Sequence, residues 1–145
     1  MEQCDHLKLD HQLCFLIYAS SREMTKLYRP ILQELDITYP QYLALLVLWE
    51  KDGVSVKELG KKLYLDSGTL TPMLKRMEAN ELITRSRSTE DERTVFIFLT
   101  EKGKVLREKA KCIPNAIIEK AKVKEEELAL LMPLLRSFLT KLNEE

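Results

Sequence analysis

The chain lacks an excess of charge of either sign: 23 lysines and arginines oppose 23 aspartates and glutamates over 145 residues. Zero net charge gives no long-range pull toward a polyanion, so any affinity for nucleic acid has to come from a local patch and from two copies acting together. There is no signal-peptide pattern and no apolar run of membrane-spanning length, which points to a cytoplasmic protein without a membrane partner. Cysteine is scarce and unpatterned. Cys4, Cys14 and Cys112 form neither a CxxC pair nor a metal-ligand spacing, so no metal or cofactor is expected, and an odd set of free thiols suits a reducing cytosol. His6 and His11 lie together near the amino terminus, where exposed or partly packed side chains are the ordinary outcome.

What is present is a globular, helix-leaning composition, 45% hydrophobic and 32% charged, long enough for one domain over residues 1–145 with a real core. The stretch from Ser55 to Thr100 organises it. Val56, Leu59, Gly60 and Leu63 keep helical spacing, and beyond Tyr64-Leu65-Asp66 a second helix carries Leu70, Leu74 and Met77 on one face. The opposite face holds Ser67, Thr69 and Thr71, then Lys75 and Arg76: short hydroxyls for base edges, cations for phosphates. Pro72 suits a first helical turn, placing the start near Ser67 to Thr69, where free amides and the helix dipole favour a phosphate or a base carbonyl. By itself the pattern fits a threonine-rich cap on a core helix as well as it fits a helix-turn-helix.

The next segment separates the two. Residues 82–87 and 93–99 are β-branched and aromatic runs around the polar tip 88–92, a hairpin directly after the candidate reading helix. Helix, helix, hairpin is a winged helix, with Arg93 near the tip able to reach a minor groove and Asp91 bracing its guanidinium. Lys75, Arg76, Arg85, Arg87 and Arg93 are matched by five acids between positions 75 and 93, so the basic character is positional.

Flanking helices complete the expected α+β architecture, mainly α with a small β wing. One runs from about Leu7 to Leu35, bent near Arg29-Pro30, and a second from Tyr39 to Glu50, with Thr38 and Gln41 as a capping box. After the wing, a helix from Thr100 is expected to continue past Ile113-Pro114 to about Ala121. A last one starts near Lys124 with Glu125, Glu126 and Glu127 in its first turn, and Pro133 kinks it. Segments 7–35 and 101–145 carry more apolar surface than so small a domain covers alone. They read as dimerisation helices around the winged unit at 37–100, the alternative being a monomer with an untidy surface. A two-fold dimer places two reading helices about 34 Å apart, facing successive major grooves of a palindromic site.

Cys14 sits among Leu13, Phe15, Leu16 and Ile17, where a cysteine is ordinarily a small inert hydrophobe. Burial alone raises its pKa, and reactivity needs donors, for which Tyr18, Tyr28 and Tyr39 are the candidates. Tyr28 follows Cys14 by fourteen residues, roughly 21 Å along a continuous helix, so a contact between them has to cross a subunit boundary.

The stretches Asp10–Tyr18, Ile37–Tyr42, Leu65–Glu78 and Asp91-Glu92-Arg93 closely resemble the MarR family of bacterial regulators, and within it the organic hydroperoxide resistance regulators. That resemblance, which covers nearly the whole chain, implies a dimeric DNA-binding repressor and not an enzyme. Cys14 would be the peroxide-sensing thiol, held by Tyr39 and by Tyr28 of the other subunit. Ser67, Gly68, Thr69, Thr71, Pro72, Lys75, Arg76, Arg85, Arg87, Asp91 and Arg93 would form the DNA face, with Arg93 in the minor groove.

Family members with a second redox cysteine form an intersubunit disulfide late in the chain; Cys112 lies in roughly that region, and Cys4 is an additional thiol. The expected route uses one cysteine: an organic hydroperoxide converts the thiolate to a sulfenic acid, which a small cellular thiol caps or which goes on to sulfinic acid. Two other readings stay open. One is a MarR-type repressor released by a small aromatic ligand; the other is a thiol peroxidase, although no catalytic His, Arg or resolving cysteine stands at recognisable spacing.

Overall fold

The computed structural model describes residues 6–144; Cys4 lies outside them. Helix α1 spans Leu13–Glu34 and α2 spans Tyr39–Glu50. The short strand β1, Val54–Ser55, precedes α3 at Val56–Leu63 and α4 at Ser67–Ala79. The wing is β2, Ile83–Arg87, and β3, Val95–Leu99. Helices α5, Glu101–Ala110, α6, Ile113–Ala121, and α7, Glu125–Leu142, close the chain. No helix among the described residues is long and apolar enough to cross a membrane.

The sheet order is β1-β3-β2, antiparallel throughout, with Arg85 opposite Ile97 and Val54 also opposite Ile97. Strand β1 carries no sequence signal, because two residues are too few to show alternation. The expected start near Leu7 is corrected to Leu13: Gln12 is extended, and its side-chain amide donates to the carbonyls of His6 and Lys8, leaving only a 3-10 turn at Leu9–His11. The single helix expected from Thr100 to Ala121 is two. Pro114 stands in the first turn of α6 and has no amide for the Ala110 carbonyl, so the hydrogen-bond ladder breaks at Lys111-Cys112. Pro30 and Pro133 lie inside continuous helices.

Leu45, Leu48, Leu59, Leu70, Leu74, Met77, Ile83 and Ile97 fill the centre, with Leu32 of α1 and Ile113 and Ile117 of α6 above them. The α2 capping box forms as expected: the Gln41 amide donates to Thr38 Oγ1 at 3.3 Å and the Thr38 amide to Gln41 Oε1 at 3.1 Å. Pro72 is the sixth residue of α4 and not in its first turn, so it deprives the Gly68 carbonyl of a helical donor. That loss costs about 3 kcal/mol. Burial of Leu70, Met73, Leu74 and Met77, at about 1.5–3 kcal/mol each, exceeds it and keeps the helix in place.

Three contacts fasten the base of the wing and the start of α5 to this core. Trp49 Nε1 donates to the Gly103 carbonyl at 2.9 Å, Thr100 Oγ1 to the Glu81 carbonyl at 2.5 Å, and the Leu99 amide to Asp52 Oδ1 at 2.8 Å. Gly103 is required by close approach, since a Cβ there would lie 2.4 Å from the Leu82 carbonyl oxygen. Gly103→Ala is therefore expected to destabilise the fold by about 3 kcal/mol, read as a lowered urea midpoint; an unchanged midpoint would show that the α5–wing junction yields freely.

Candidate nucleic-acid interface and thiol site

Helix α4 divides as its sequence requires. Leu70, Met73, Leu74 and Met77 are buried, while Ser67, Gly68, Thr69, Thr71, Pro72, Lys75 and Arg76 are exposed. Asp66 caps it, accepting the Thr69 amide at 2.7 Å, and the Thr69 hydroxyl first, with that amide second, holds the carboxyl below its usual range. Thr71 Oγ1 donates to the Ser67 carbonyl at 2.7 Å, which commits its proton inward and leaves the hydroxyl an acceptor toward a base amino group.

The wing tip is tied by side chains. Ser88 Oγ accepts from the amides of Glu90 and Asp91, Asp91 Oδ1 accepts from the Arg93 amide at 3.0 Å and Arg93 Nε at 3.4 Å, and Thr94 Oγ1 donates to Asp91 Oδ2 at 3.3 Å. Asp91 thus orients an Arg93 side chain that is 93% exposed. Arg87 turns one Nη onto the Glu92 carbonyl at 2.8 Å, stiffening the same loop.

Arg85 differs from the other cations. Its guanidinium is committed to Glu78 of α4 and keeps that carboxyl below the usual carboxylate range. Lys57, Lys61 and Tyr64 line the cleft between α3, α4 and the wing together with Arg87 and Arg93. Sequence reasoning passed over them, although two lysines four apart on the polar face of α3 were a legible signal.

Cys14 is exposed in the protomer, in the company of exposed Leu13, Leu16, Ile17 and Tyr18. Its thiol has no hydrogen-bond partner among the described residues of its own chain. Within the protomer Tyr18 makes no hydrogen bond to it; that ring lies under Arg22, whose guanidinium carbon is 5.4 Å from the centroid. Tyr28 and Tyr39 meet each other instead, ring centroids 4.8 Å apart, and Tyr28 is three helical turns and more beyond Cys14 on the same helix.

Expected as donors to Cys14, these two phenols are therefore out of reach within one subunit. Tyr42, absent from the sequence-derived site, completes a triad at 5.8 Å from Tyr28 and 6.4 Å from Tyr39. Burial, reinforced by Tyr39 and Tyr42, pushes the Tyr28 phenol up to about 12, and burial also raises those of Tyr39 and Tyr42. All three hydroxyls lack a hydrogen-bond partner among the described residues. They are neutral donors waiting for an acceptor. Cys112 is exposed, at the break between α5 and α6.

A capped, core-backed helix presenting hydroxyls and cations beside a braced basic wing defines a winged-helix DNA-binding protein. The profile described as Transcriptional regulator SarA/Rot matches residues 26–110. Over 141 residues the chain is 60% identical to the organic hydroperoxide resistance transcriptional regulator of Bacillus subtilis, covering 97% of this chain and 96% of that one.

Among solved structures, reduced AbfR bound to DNA is similar with a TM-score of 0.78 at 36% identity, covering 99% of this chain and 100% of that one. AbfR is a Staphylococcus epidermidis protein. Its overoxidized form bound to DNA also gives 0.78, and its disulfide-formed state 0.62, the latter covering 95% of this chain and 97% of that one. A cysteine-to-serine mutant of E. coli MarR complexed with operator DNA gives 0.79 at 27% identity, covering 88% of this chain and 93% of that one. The chain belongs to the MarR family of transcriptional regulators, in its organic hydroperoxide resistance branch.

Because the folded-state value for Tyr28 lies above the ordinary 10, its contribution to stability is complete below pH 10 and is lost as pH rises toward 12. The difference in tyrosinate absorbance between wild type and Tyr28→Phe is expected to have its midpoint near 12; a midpoint near 10 would mean that this phenol is open to water.

Proposed function

We propose that the chain works as a cytoplasmic homodimeric repressor that binds a palindromic double-stranded DNA operator and lets go when an organic hydroperoxide oxidises Cys14. Ser67, Gly68, Thr69, Thr71 and Pro72 of each α4 meet base edges and the adjacent backbone. Lys75, Arg76 and Arg87 meet phosphates, and Arg93, oriented by Asp91, enters the minor groove.

One observation carries the sensing part. Among the described residues, a thiol without a hydrogen-bond partner sits beside apolar side chains at one end of α1, and at the other end Tyr28 meets Tyr39 and Tyr42 of α2, three part-buried phenols without acceptors. Leu13, Leu16 and Ile17 of α1 and Leu130, Leu131, Leu134 and Leu135 of α7 are all exposed, an apolar face that a second copy would cover. An antiparallel meeting of two α1 helices brings the thiol of one to the phenols of the other. Hydroxyl donors there favour the thiolate, the form that attacks peroxide.

Sulfur attacks one peroxide oxygen, the O–O bond breaks, and the departing alkoxide takes a proton to leave as an alcohol. The product is a sulfenic acid. A small cellular thiol then displaces its hydroxyl as water, giving a mixed disulfide, or further peroxide gives sulfinic acid. The added bulk does not fit a packed seam and forces α1 and α2 against the winged unit. A hundredfold fall in DNA affinity needs only about 2.7 kcal/mol of bias between two geometries. This protomer is more similar to the two DNA-bound forms of AbfR than to its disulfide-formed state.

Cys14→Ser is expected to keep operator binding and to ignore cumene hydroperoxide in a gel-shift titration; dissociation of that mutant on oxidation would remove Cys14 as the sensor. Gly68→Ala separates DNA contact from folding. A Cβ there would meet only Asp66 Oδ1, at 3.5 Å. The substitution should raise stability by about 0.5–1 kcal/mol while weakening operator binding, and unimpaired binding would place Gly68 away from the DNA.

A further inference from the structure

Arg85 falls on the wing among cations suited to phosphate, yet its contacts point inward. Resting on the DNA-binding reading above, we infer that Glu78 and Arg85 form a brace between the reading helix and the wing, and that both are positioning residues for two-groove binding, not contacts to phosphate.

Glu78 lies in the last turn of α4, and both of its carboxylate oxygens are taken. Oε1 accepts from Arg85 Nε at 3.2 Å and Nη2 at 3.0 Å, and Oε2 accepts from the Arg85 backbone amide at 3.2 Å. β2 is an edge strand, paired only with β3, and an Arg85 amide that donates to Glu78 faces the open side of the sheet. One carboxylate therefore closes that edge and also grips the planar guanidinium from a fixed direction, a combination that charge alone does not require. The Arg85 and Glu78 side chains are 26% and 39% exposed, well below the 93% of Arg93, so the pair is partly withdrawn from water.

Geometry gives the brace its purpose. Between α4 and β2 the chain makes a tight reversal, with Glu81 at φ 61°; the bonds at Asp52 and Glu81 hold the base of the hairpin, and Glu78 adds a grip on β2 nearer the tip, at Arg85. Any swing of the hairpin moves Arg93 relative to Ser67, Thr69 and Thr71 and takes one of the two grooves out of register. Turning Arg85 out to a phosphate would give up its charge-assisted bonds and leave the Glu78 carboxylate beside the polyanion. Lys75 and Arg76, exposed on the same helix, can neutralise phosphates without that penalty.

The test measures binding to a palindromic duplex enriched from a random pool by the wild-type protein, and to a random-sequence duplex, over a salt series. The variants are Glu78→Gln, Arg85→Gln, Arg85→Lys and the Glu78→Gln/Arg85→Gln double, with thermal melts to establish that each is folded. Each single variant is expected to lose about tenfold in affinity for the enriched duplex, with the double losing no more than the singles. Arg85→Lys, which keeps the charge but not the fork, should behave like Arg85→Gln. Affinity for random sequence and the slope of log affinity against log salt should stay at wild-type values.

A slope shallower by about one in Arg85→Gln, the mark of a lost phosphate contact, overturns the inference. So does tighter binding by Glu78→Gln, or additive losses in the double. A wild type that enriches no duplex overturns the DNA reading and the brace together, whereas a wild type that does, with Glu78→Gln unchanged, overturns the brace alone.

Discussion

Everything the protein presents to the outside depends on how firmly one face of α4 is held. Leu70, Met73, Leu74 and Met77 enter the core side by side, and with four anchors on one side of thirteen residues the helix has no rotational freedom. The exposed row from Ser67 to Arg76 is the consequence of that burial. Asp66 fixes the start and Pro72 weakens one rung of the ladder, but neither decides which side faces out. Burial is the larger energy.

A second constraint comes from surface left over. Helix α7 buries none of its side chains within the protomer, and the amino-terminal part of α1 exposes a continuous leucine and isoleucine face around Cys14. The phenols of Tyr28, Tyr39 and Tyr42 are packed ring to ring, desolvation raises their pKa above the ordinary value, and their hydroxyls have no partner among the described residues. In the proposed dimer these two incomplete environments complete each other, and a thiolate that neither subunit could stabilise alone becomes possible at their seam. Sensing and assembly are then one arrangement.

Much of this was legible in the chain. Helical spacing marked α3, α4 and α7 through their apolar stripes, whereas α2, apolar almost all round, was marked by the capping box at Thr38 and Gln41, two residues three apart. The wing showed itself through β-branched runs around an acidic tip. The misses have local causes: β1 is too short to alternate, Gln12 delays the start of α1 by bonding backward, and Pro114 splits a continuous apolar pattern that periodicity could not divide. The Asp91–Arg93 brace was readable since it spans two residues.

By itself the sequence determined most of the order of elements, the winged unit, the polar face of the reading helix and the place of a cysteine in an apolar stretch of helix, all of which are encoded in spacings of a few residues. Only the tertiary structure decided that Arg85 turns to Glu78 instead of outward, that Tyr42 joins Tyr28 and Tyr39, and that Cys14 has no hydrogen-bond partner among the described residues of its own chain. Periodicity says which face of an element is buried, but the partner of a charged or phenolic side chain depends on the angle at which two elements cross, and that angle is set by the packing of the whole core.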